Sequence, residues 1–261
     1  MNDELFSVRD QVVVVSGGSR GIGLAIAAGF ASRAGQVVIT GRDAATLDEA
    51  AAGLSRDGAR VTPIVCDVTS SDAIRSLVRE CIDRFGHVDT LVNCAGVNRR
   101  KPALSVDEDD YDFVVDINLK GAYLTAIEFG RHMVQRGRGN QINIASLNSD
   151  RPLKNVSTYA LSKAGMVGMT RALALEWGRS GVRVNALAPG FILTDLTHKL
   201  WSDPTMREWG ETNTPLGRLG VPDDMIGTAV FLASEAAAFL TGQILYVDGG
   251  FTAGWTWPIP Q

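Results

Sequence analysis

Cysteine and histidine are scarce: the chain has three of each in 261 residues. Cys66, Cys81 and Cys94 are scattered, odd in number and form no CxxC pair, which argues against a disulfide framework and against a zinc site. His87, His132 and His198 are equally dispersed. Excess positive charge is also missing. Lys and Arg total 25 against 29 Asp and Glu, and a net charge of −4 leaves no basic footprint for nucleic acid. No apolar run approaches the roughly 18 residues of a membrane helix. The opening "MNDELFSVRD" is acidic and polar, with no secretory signal. These absences lead us to expect a cytoplasmic, metal-free protein without a nucleic-acid or membrane partner.

What is present is apolar and regular. Hydrophobic residues make up 45% of the chain and charged ones 21%, the balance of a globular domain. Runs rich in valine and isoleucine read as buried strands: "QVVVVS" (11–16), "QVVIT" (36–40), "RVTPIVC" (60–66), "DTLVNCA" (89–95), "NQINIAS" (140–146), "VRVNALA" (182–188) and "QILYVD" (243–248). Helix-period segments alternate with them. Ile74, Leu77, Val78, Cys81, Ile82 and Phe85 recur at helical spacing before Gly86 as a stop. This alternation predicts one α/β domain over 1–261, a Rossmann-like doubly wound parallel sheet of seven strands with helices on both faces. The connection at about 190–221 is long and polar, as lids over sites tend to be.

Two short stretches carry chemistry. "SGGSRGIG" (16–23) follows the first strand and opens a helix. Gly17, Gly21 and Gly23 allow a tight turn and close approach to a pyrophosphate, and the helix start offers unpaired N–H groups. "STYALSKAGMVG" (157–168) sets Tyr159 and Lys163 four apart, on one helix face that is otherwise small or apolar. A phenol ionises near about pH 10, and an ammonium beside it favours phenolate. The pair is therefore suited to exchanging a proton with a carbonyl or alcohol oxygen. Asn118, in the helical "VVDINLKGAYL", is a poor interior helix residue.

These stretches, with "CDVT" (66–69), "NCAG" (93–96), "NLKG" (118–121), Ser146, "PGFILT" (189–194) and "VDGG" (247–250), occur in the order of the short-chain dehydrogenases and reductases, a family the chain resembles over nearly its whole length. Ser16 stands where that family more often has threonine, and Cys94 replaces the second asparagine of NNAG. The resemblance implies catalytic roles for Asn118, Ser146, Tyr159 and Lys163. Ser146 would hold the substrate oxygen, with Ser149 as a rival; Lys163 would also bond the nicotinamide ribose. Asn118 would stabilise a local distortion and hold a water connecting Lys163 to solvent, unless it is simply solvated. The cofactor would lie against Gly17, Ser19, Arg20, Gly21, Ile22, Gly23, Arg42, Asp67, Val68, Asn93, Ala95, Gly96, Tyr159, Lys163, Pro189, Gly190, Ile192 and Thr194.

NAD-selective relatives usually carry an acidic residue about where Gly41 sits. Here Arg42 follows at once and Arg20 stands in the glycine turn, so NADP is favoured over NAD, although Asp43 is close. "GVNRRKPA" (96–103) follows the fourth strand and resembles the same loop of gluconate 5-dehydrogenases and 2-deoxygluconate 3-dehydrogenases. Arg100 is our choice for binding a substrate carboxylate, with Arg151 and Lys154 as rivals; the charges could equally form a solvated face. The function expected is interconversion of a ketone and a secondary alcohol on a small sugar acid or related hydroxy-ketone. The alternatives are a 3-oxoacyl-[acyl-carrier-protein] reductase and a non-catalytic redox sensor. Segment 157–180 is apolar nearly all round, which with the resemblance suggests a homodimer or homotetramer. The tail "GGFTAGWTWPIPQ" holds two tryptophans and suggests a further subunit contact.

Overall fold

The first strand, Val12–Ser16 (β1), is buried at every position, as a strand covered on both faces must be. Its side chains alternate between two layers of core. Val12 and Val14 face one layer, with Ile74, Leu77, Phe129, Met133 and Met166; Val13 and Val15 face the other, with Ile26, Phe30, Leu47 and Leu232. The structure is a computed structural model and describes residues 4–55 and 59–255.

The chain alternates as the sequence predicts. Helix α1 (Gly21–Ala31) leads to β2 (Gln36–Gly41), and α2 (Ala44–Leu54) to β3 (Val61–Val65). Helix α3 (Ser71–Phe85) leads to β4 (Thr90–Asn93). Helix α4 (Glu108–Val115) passes through a π-helical turn, Asp116–Gly121, into α5 (Ala122–Arg136) and β5 (Gly139–Ile144). Helix α6 (Ser157–Trp177) leads to β6 (Val182–Pro189). Two short helices, α7 (His198–Trp201) and α8 (Pro204–Thr212), precede α9 (Ile226–Ala233) and β7 (Ile244–Val247). The strands form one parallel sheet in the order β3-β2-β1-β4-β5-β6-β7. The order reverses between β1 and β4, and the crevice for a ligand opens there, outside the carboxyl ends of the strands.

Local sequence explains the element ends. In α3 the Ser70 side chain caps Ala73 N at the start, and Gly86 closes the helix at φ +78°, a conformation glycine adopts freely. The connection at 190–221 departs from expectation. It is not simply polar: α7 and α8 turn Leu200, Trp201 and Met206 inward onto Phe191, Leu219 and Phe251. Its polar residues lie on the outer side of an amphipathic connection. Helix α6 buries Met166, Met169 and Leu173 against the sheet but leaves Leu161 and Leu175 exposed. The tail reading falls largely outside the described residues; Trp255, the last of these, has its ring 6.3 Å from that of Phe251.

The histidines are less dispersed in space than in sequence. His87 Nε2 lies 3.1 Å from Asp89, and His132 is close enough for burial, Arg136 and His87 to push its pKa down. Among the described residues no three His, Cys, Asp or Glu are grouped to hold a metal ion, and no helix is long and apolar enough to cross a membrane. The three cysteines are free.

Candidate active site

The glycine turn is built by close approach. A Cβ at Gly17 would stand 2.7 Å from the backbone of Ala95, and one at Gly23 only 2.1 Å from the carbonyl oxygen of Gly17. Gly17 also sits at φ +74°. The turn thus folds flat onto the start of α1, whose N-cap, Arg20, makes no side-chain capping bond. The first-turn N–H groups stay available for an anion. In front of them lies a cavity of about 610 Å³, lined by Gly17, Ser19, Arg20, Gly21, Ile22, Gly23, Arg42, Asp67, Val68, Ala95, Gly96, Pro189, Gly190, Ile192 and Thr194, together with Ser146, Tyr159 and Lys163. One cofactor residue expected from sequence is absent from this wall. Asn93 stands directly opposite Asn143 in the parallel register, and its amide donates to Asn143 Oδ1 at 3.0 Å, so the side chain belongs to the sheet interior.

Among the described residues, Arg20 and Arg42 pair with no carboxylate, and both are exposed. Asp43 is not free to act as the acidic selector. Its Oδ1 accepts from Thr46 N (2.8 Å) and Thr46 Oγ1 (2.5 Å), capping α2. A bare helix start, a cavity of this size and two unpaired guanidiniums fit a phosphorylated dinucleotide.

Ser146 follows β5 and faces Tyr159 across the crevice mouth. Its hydroxyl accepts from Asn148 N at 3.1 Å and lies in the same cavity wall as the phenol. Ser149, the rival, donates to the Lys163 carbonyl at 3.0 Å and is committed to holding α6. Lys163 is 4% exposed, and its Nζ donates to the Ile144 carbonyl at 2.6 Å. Burial pushes this ammonium down to about 8.

The charge balance at Tyr159 differs from the sequence reading. Burial pushes the phenol above its ordinary value; the Ser146 hydrogen bond and then the Arg100 charge oppose that rise. Lys163 is not among the groups that lower it: its Nζ is held by Ile144 and lies 5.7 Å from the centre of the tyrosine ring. Desolvation is the largest cause of the shift in both groups.

Asn118 lies in the π-helical turn and is fully buried, which excludes a solvated role. Its Oδ1 accepts from Val97 N (2.7 Å), and its Nδ2 donates to Val97 O (2.9 Å) and Ser162 Oγ (3.1 Å). A Cβ on Gly96 would sit 3.5 Å from Asn118 Oδ1 and 3.7 Å from Lys163 Nζ, so both polar tips meet beside Gly96. The three cations of the loop after β4 separate. Arg99 and Lys101 turn to Asp110, while Arg100 stays exposed, and its charge reaches Tyr159. Of the rivals, Arg151 pairs with Asp150 at 3.3 Å and Lys154 is exposed. Sequence reading missed Asp110 and Asn148; neither sits in a recognisable spacing.

A phenol, a serine and a buried lysine in one crevice with a glycine-rich turn are the groups found in oxidoreductases that interconvert alcohols and ketones with a nicotinamide cofactor. A family model described as enoyl-(acyl carrier protein) reductase matches residues 17–252. The chain belongs to the short-chain dehydrogenase/reductase family, and it is an oxidoreductase acting on CH–OH groups. It is 37% identical to gluconate 5-dehydrogenase of Gluconobacter oxydans (strain 621H), over 95% of this chain and 97% of that one. It is also 37% identical to the 3-oxoacyl-[acyl-carrier-protein] reductase of Chlamydia muridarum (strain MoPn / Nigg), over 92% and 97%. Among solved structures, a gluconate 5-dehydrogenase from Burkholderia cenocepacia J2315, in complex with NADP and tartrate, is 35% identical. It superposes with a TM-score of 0.93 over 96% of this chain and 98% of that one.

Proposed function

We propose that the protein interconverts a small keto sugar acid, or a related hydroxy-ketone, and its secondary alcohol, with NADP(H) as cofactor. The observation that carries the substrate class is Arg100: of three consecutive cations it is the one not drawn to Asp110, and its charge acts on Tyr159. A planar guanidinium there suits a carboxylate through two parallel charge-assisted bonds. The relatives named as gluconate dehydrogenases, one of them with NADP and tartrate, support the same reading. The unpaired Arg20 and Arg42, with Asp43 committed to α2, support NADP over NAD.

Each residue then has a task. A nicotinamide cofactor held along this crevice would supply the hydride chemistry at the carbonyl or alcohol carbon. Tyr159 gives its phenolic proton to the carbonyl oxygen, or accepts the alcohol proton in the other direction. Ser146 donates a hydrogen bond to the same oxygen and holds it beside Tyr159. Lys163, positive below about pH 8, would bond the cofactor ribose. Asn118 fixes Val97 and with it the floor under Lys163, where a water relaying protons to Lys163 would sit. Subunits pair through the exposed apolar residues of α5 and α6, Tyr123, Leu161 and Leu175, as a dimer or tetramer. Sedimentation as a monomer at micromolar concentration would end that assignment.

The test of the substrate class is Arg100→Ala assayed on 5-keto-D-gluconate and on L-sorbose, an uncharged ketose. The preference for the acid should fall by roughly 10- to 100-fold, the range for a lost charged hydrogen bond. An unchanged preference removes the carboxylate assignment. The second reading, reduction of acyl thioesters, is favoured by the likeness to the Chlamydia muridarum enzyme. Turnover confined to acetoacetyl thioesters would select it.

A further inference from the structure

The acidic run "DEDDYD" (107–112) would pass for a solvated helix start, yet one of its carboxylates is not solvated. Asp110 is 3% exposed at its side chain. Its Oδ1 accepts from Arg99 Nη1 at 3.0 Å, its Oδ2 pairs with Lys101 Nζ, and Oδ2 also receives the Asp107 N–H at 3.4 Å. Lys101, opposed by burial and joined by Arg99, holds this carboxyl down to about 2, so it is charged at every working pH. A buried carboxylate left without its cations is uncompensated, so both cations are held to it. Arg99 is fixed a second time, its guanidinium 4.0 Å over the ring of Phe113.

These bonds decide where the residue between them goes. Its neighbours on both sides turn to Asp110 on α4, while Arg100 between them stays exposed, near enough for its charge to act on Tyr159. The strip is anchored at both ends. Asn118 grips Val97 by both its N–H and its carbonyl, and the Lys101 N–H donates to the Asn155 carbonyl at 3.0 Å. Among the described residues no carboxylate pairs with Arg100 itself, so its direction comes from its neighbours.

We infer that Asp110 is a positioning residue for substrate selection: by holding Arg99 and Lys101 on α4 it presents Arg100 to the substrate, and so sets the preference for an anionic over a neutral ketone. The inference rests on the reading that Arg100 binds the substrate carboxylate, and the experiment separates the two. Wild type, Arg100→Ala, Asp110→Asn, Lys101→Gln and Lys101→Arg are compared as full-length enzymes with NADPH, on 5-keto-D-gluconate and L-sorbose. Asp110→Asn should raise KM for the acid roughly tenfold with kcat within about twofold, because it loosens a ground-state contact and leaves the proton donor in place. The double variant Arg100→Ala/Asp110→Asn should lose no more acid preference than Arg100→Ala alone, as expected when one residue acts through another. Should Asp110→Asn fail to fold, the lysine pair carries the test: Lys101 is 40% exposed, and Arg99 remains on Asp110 when it is replaced. Lys101→Gln should lower the acid preference and Lys101→Arg should keep it. Losses equal on both substrates, or losses that add in the double variant, would overturn the inference and leave Asp110 as a helix cap. If Arg100→Ala abolishes the preference while Asp110→Asn and Lys101→Gln keep it, only the positioning role fails. If Arg100→Ala keeps the preference, the substrate reading and the positioning role fail together.

Discussion

Replacing Lys163 by methionine should cost activity and yet not cost stability at neutral pH. The ammonium is 4% exposed, and its pKa falls from 10.5 to about 8. At 1.36 kcal/mol per pKa unit, burying the charge opposes folding by roughly 3 kcal/mol below pH 8. Methionine has similar length and no charge, but it leaves the Ile144 carbonyl without its donor. That loss costs about 1–3 kcal/mol, so the variant should be as stable as wild type at pH 7 or up to about 2 kcal/mol more stable. The pH dependence is sharper. Between pH 8 and 10.5 the unfolded chain holds a proton on Lys163 that the folded chain has released, so this residue's contribution to stability rises with pH. The cysteines act the other way. Burial first of all pushes Cys66 to about 11, Cys81 to about 12 and Cys94 to about 11, so above pH 9 the unfolded chain loses thiol protons that the folded one keeps. The wild-type curve alone is therefore a mixture, and the difference between the two proteins isolates the lysine. Cys94 feels the Lys163 charge, so both proteins should carry Cys94→Ala. Urea unfolding at pH 7, 8, 9 and 10, with no nucleotide added, should show the methionine variant losing about 2–3 kcal/mol relative to the lysine protein between pH 7 and 10. Parallel curves across that range would show that Lys163 titrates near its ordinary value, and the reasoning from burial would fall.

Two further outcomes test the chemistry and the cofactor. Tyr159→Phe removes only the exchangeable proton and should lower kcat by roughly 100-fold or more while leaving the Kd for NADP within about threefold, by fluorescence titration; near wild-type turnover would refute the acid–base assignment. Arg42→Ala should weaken NADP by roughly tenfold and NAD little, and Gly41→Asp should shift preference towards NAD. A Cβ at Gly41 meets nothing closer than 3.6 Å, so the aspartate is tolerated, and equal losses for both cofactors in calorimetry would place Arg42 elsewhere.

What was legible in the sequence was what has a local cause. A valine run makes a buried strand wherever it stands, and the seven predicted strands fall within two residues of those observed. Tyr159 and Lys163 share a helix face because helical spacing alone puts them there. The Gly23 contact is also local, on the Gly17 carbonyl within the same turn. The features that sequence concealed need partners from distant segments. Asn93 has the spacing of a cofactor residue, but the register of β4 against β5 sets it on Asn143, fifty positions away. Asn118 finds its partners 21 positions upstream at Val97 and 44 downstream at Ser162. The connection at 190–221 hides an apolar inner side because its helices are too short to display a period.

The sign at Tyr159 shows why electrostatics is the least legible part. From sequence, an ammonium one turn away should lower a phenol. In the fold both groups are desolvated, the lysine has been given to a backbone carbonyl, and the cation that lowers the phenol comes from the loop after β4. The pair therefore does not make a ready phenolate by itself. A substrate carboxylate on Arg100 would offset the one cation that lowers the Tyr159 pKa, keeping the phenol protonated and able to give a proton to the carbonyl oxygen. A neutral ketone would leave the Arg100 charge in play and the phenol nearer to ionisation. On the proposed reading, the residue that binds the substrate carboxylate would thereby also bias the protonation of Tyr159. For reduction, the acid and the neutral ketone should accordingly differ in the pH dependence of kcat, the acid holding its rate to higher pH.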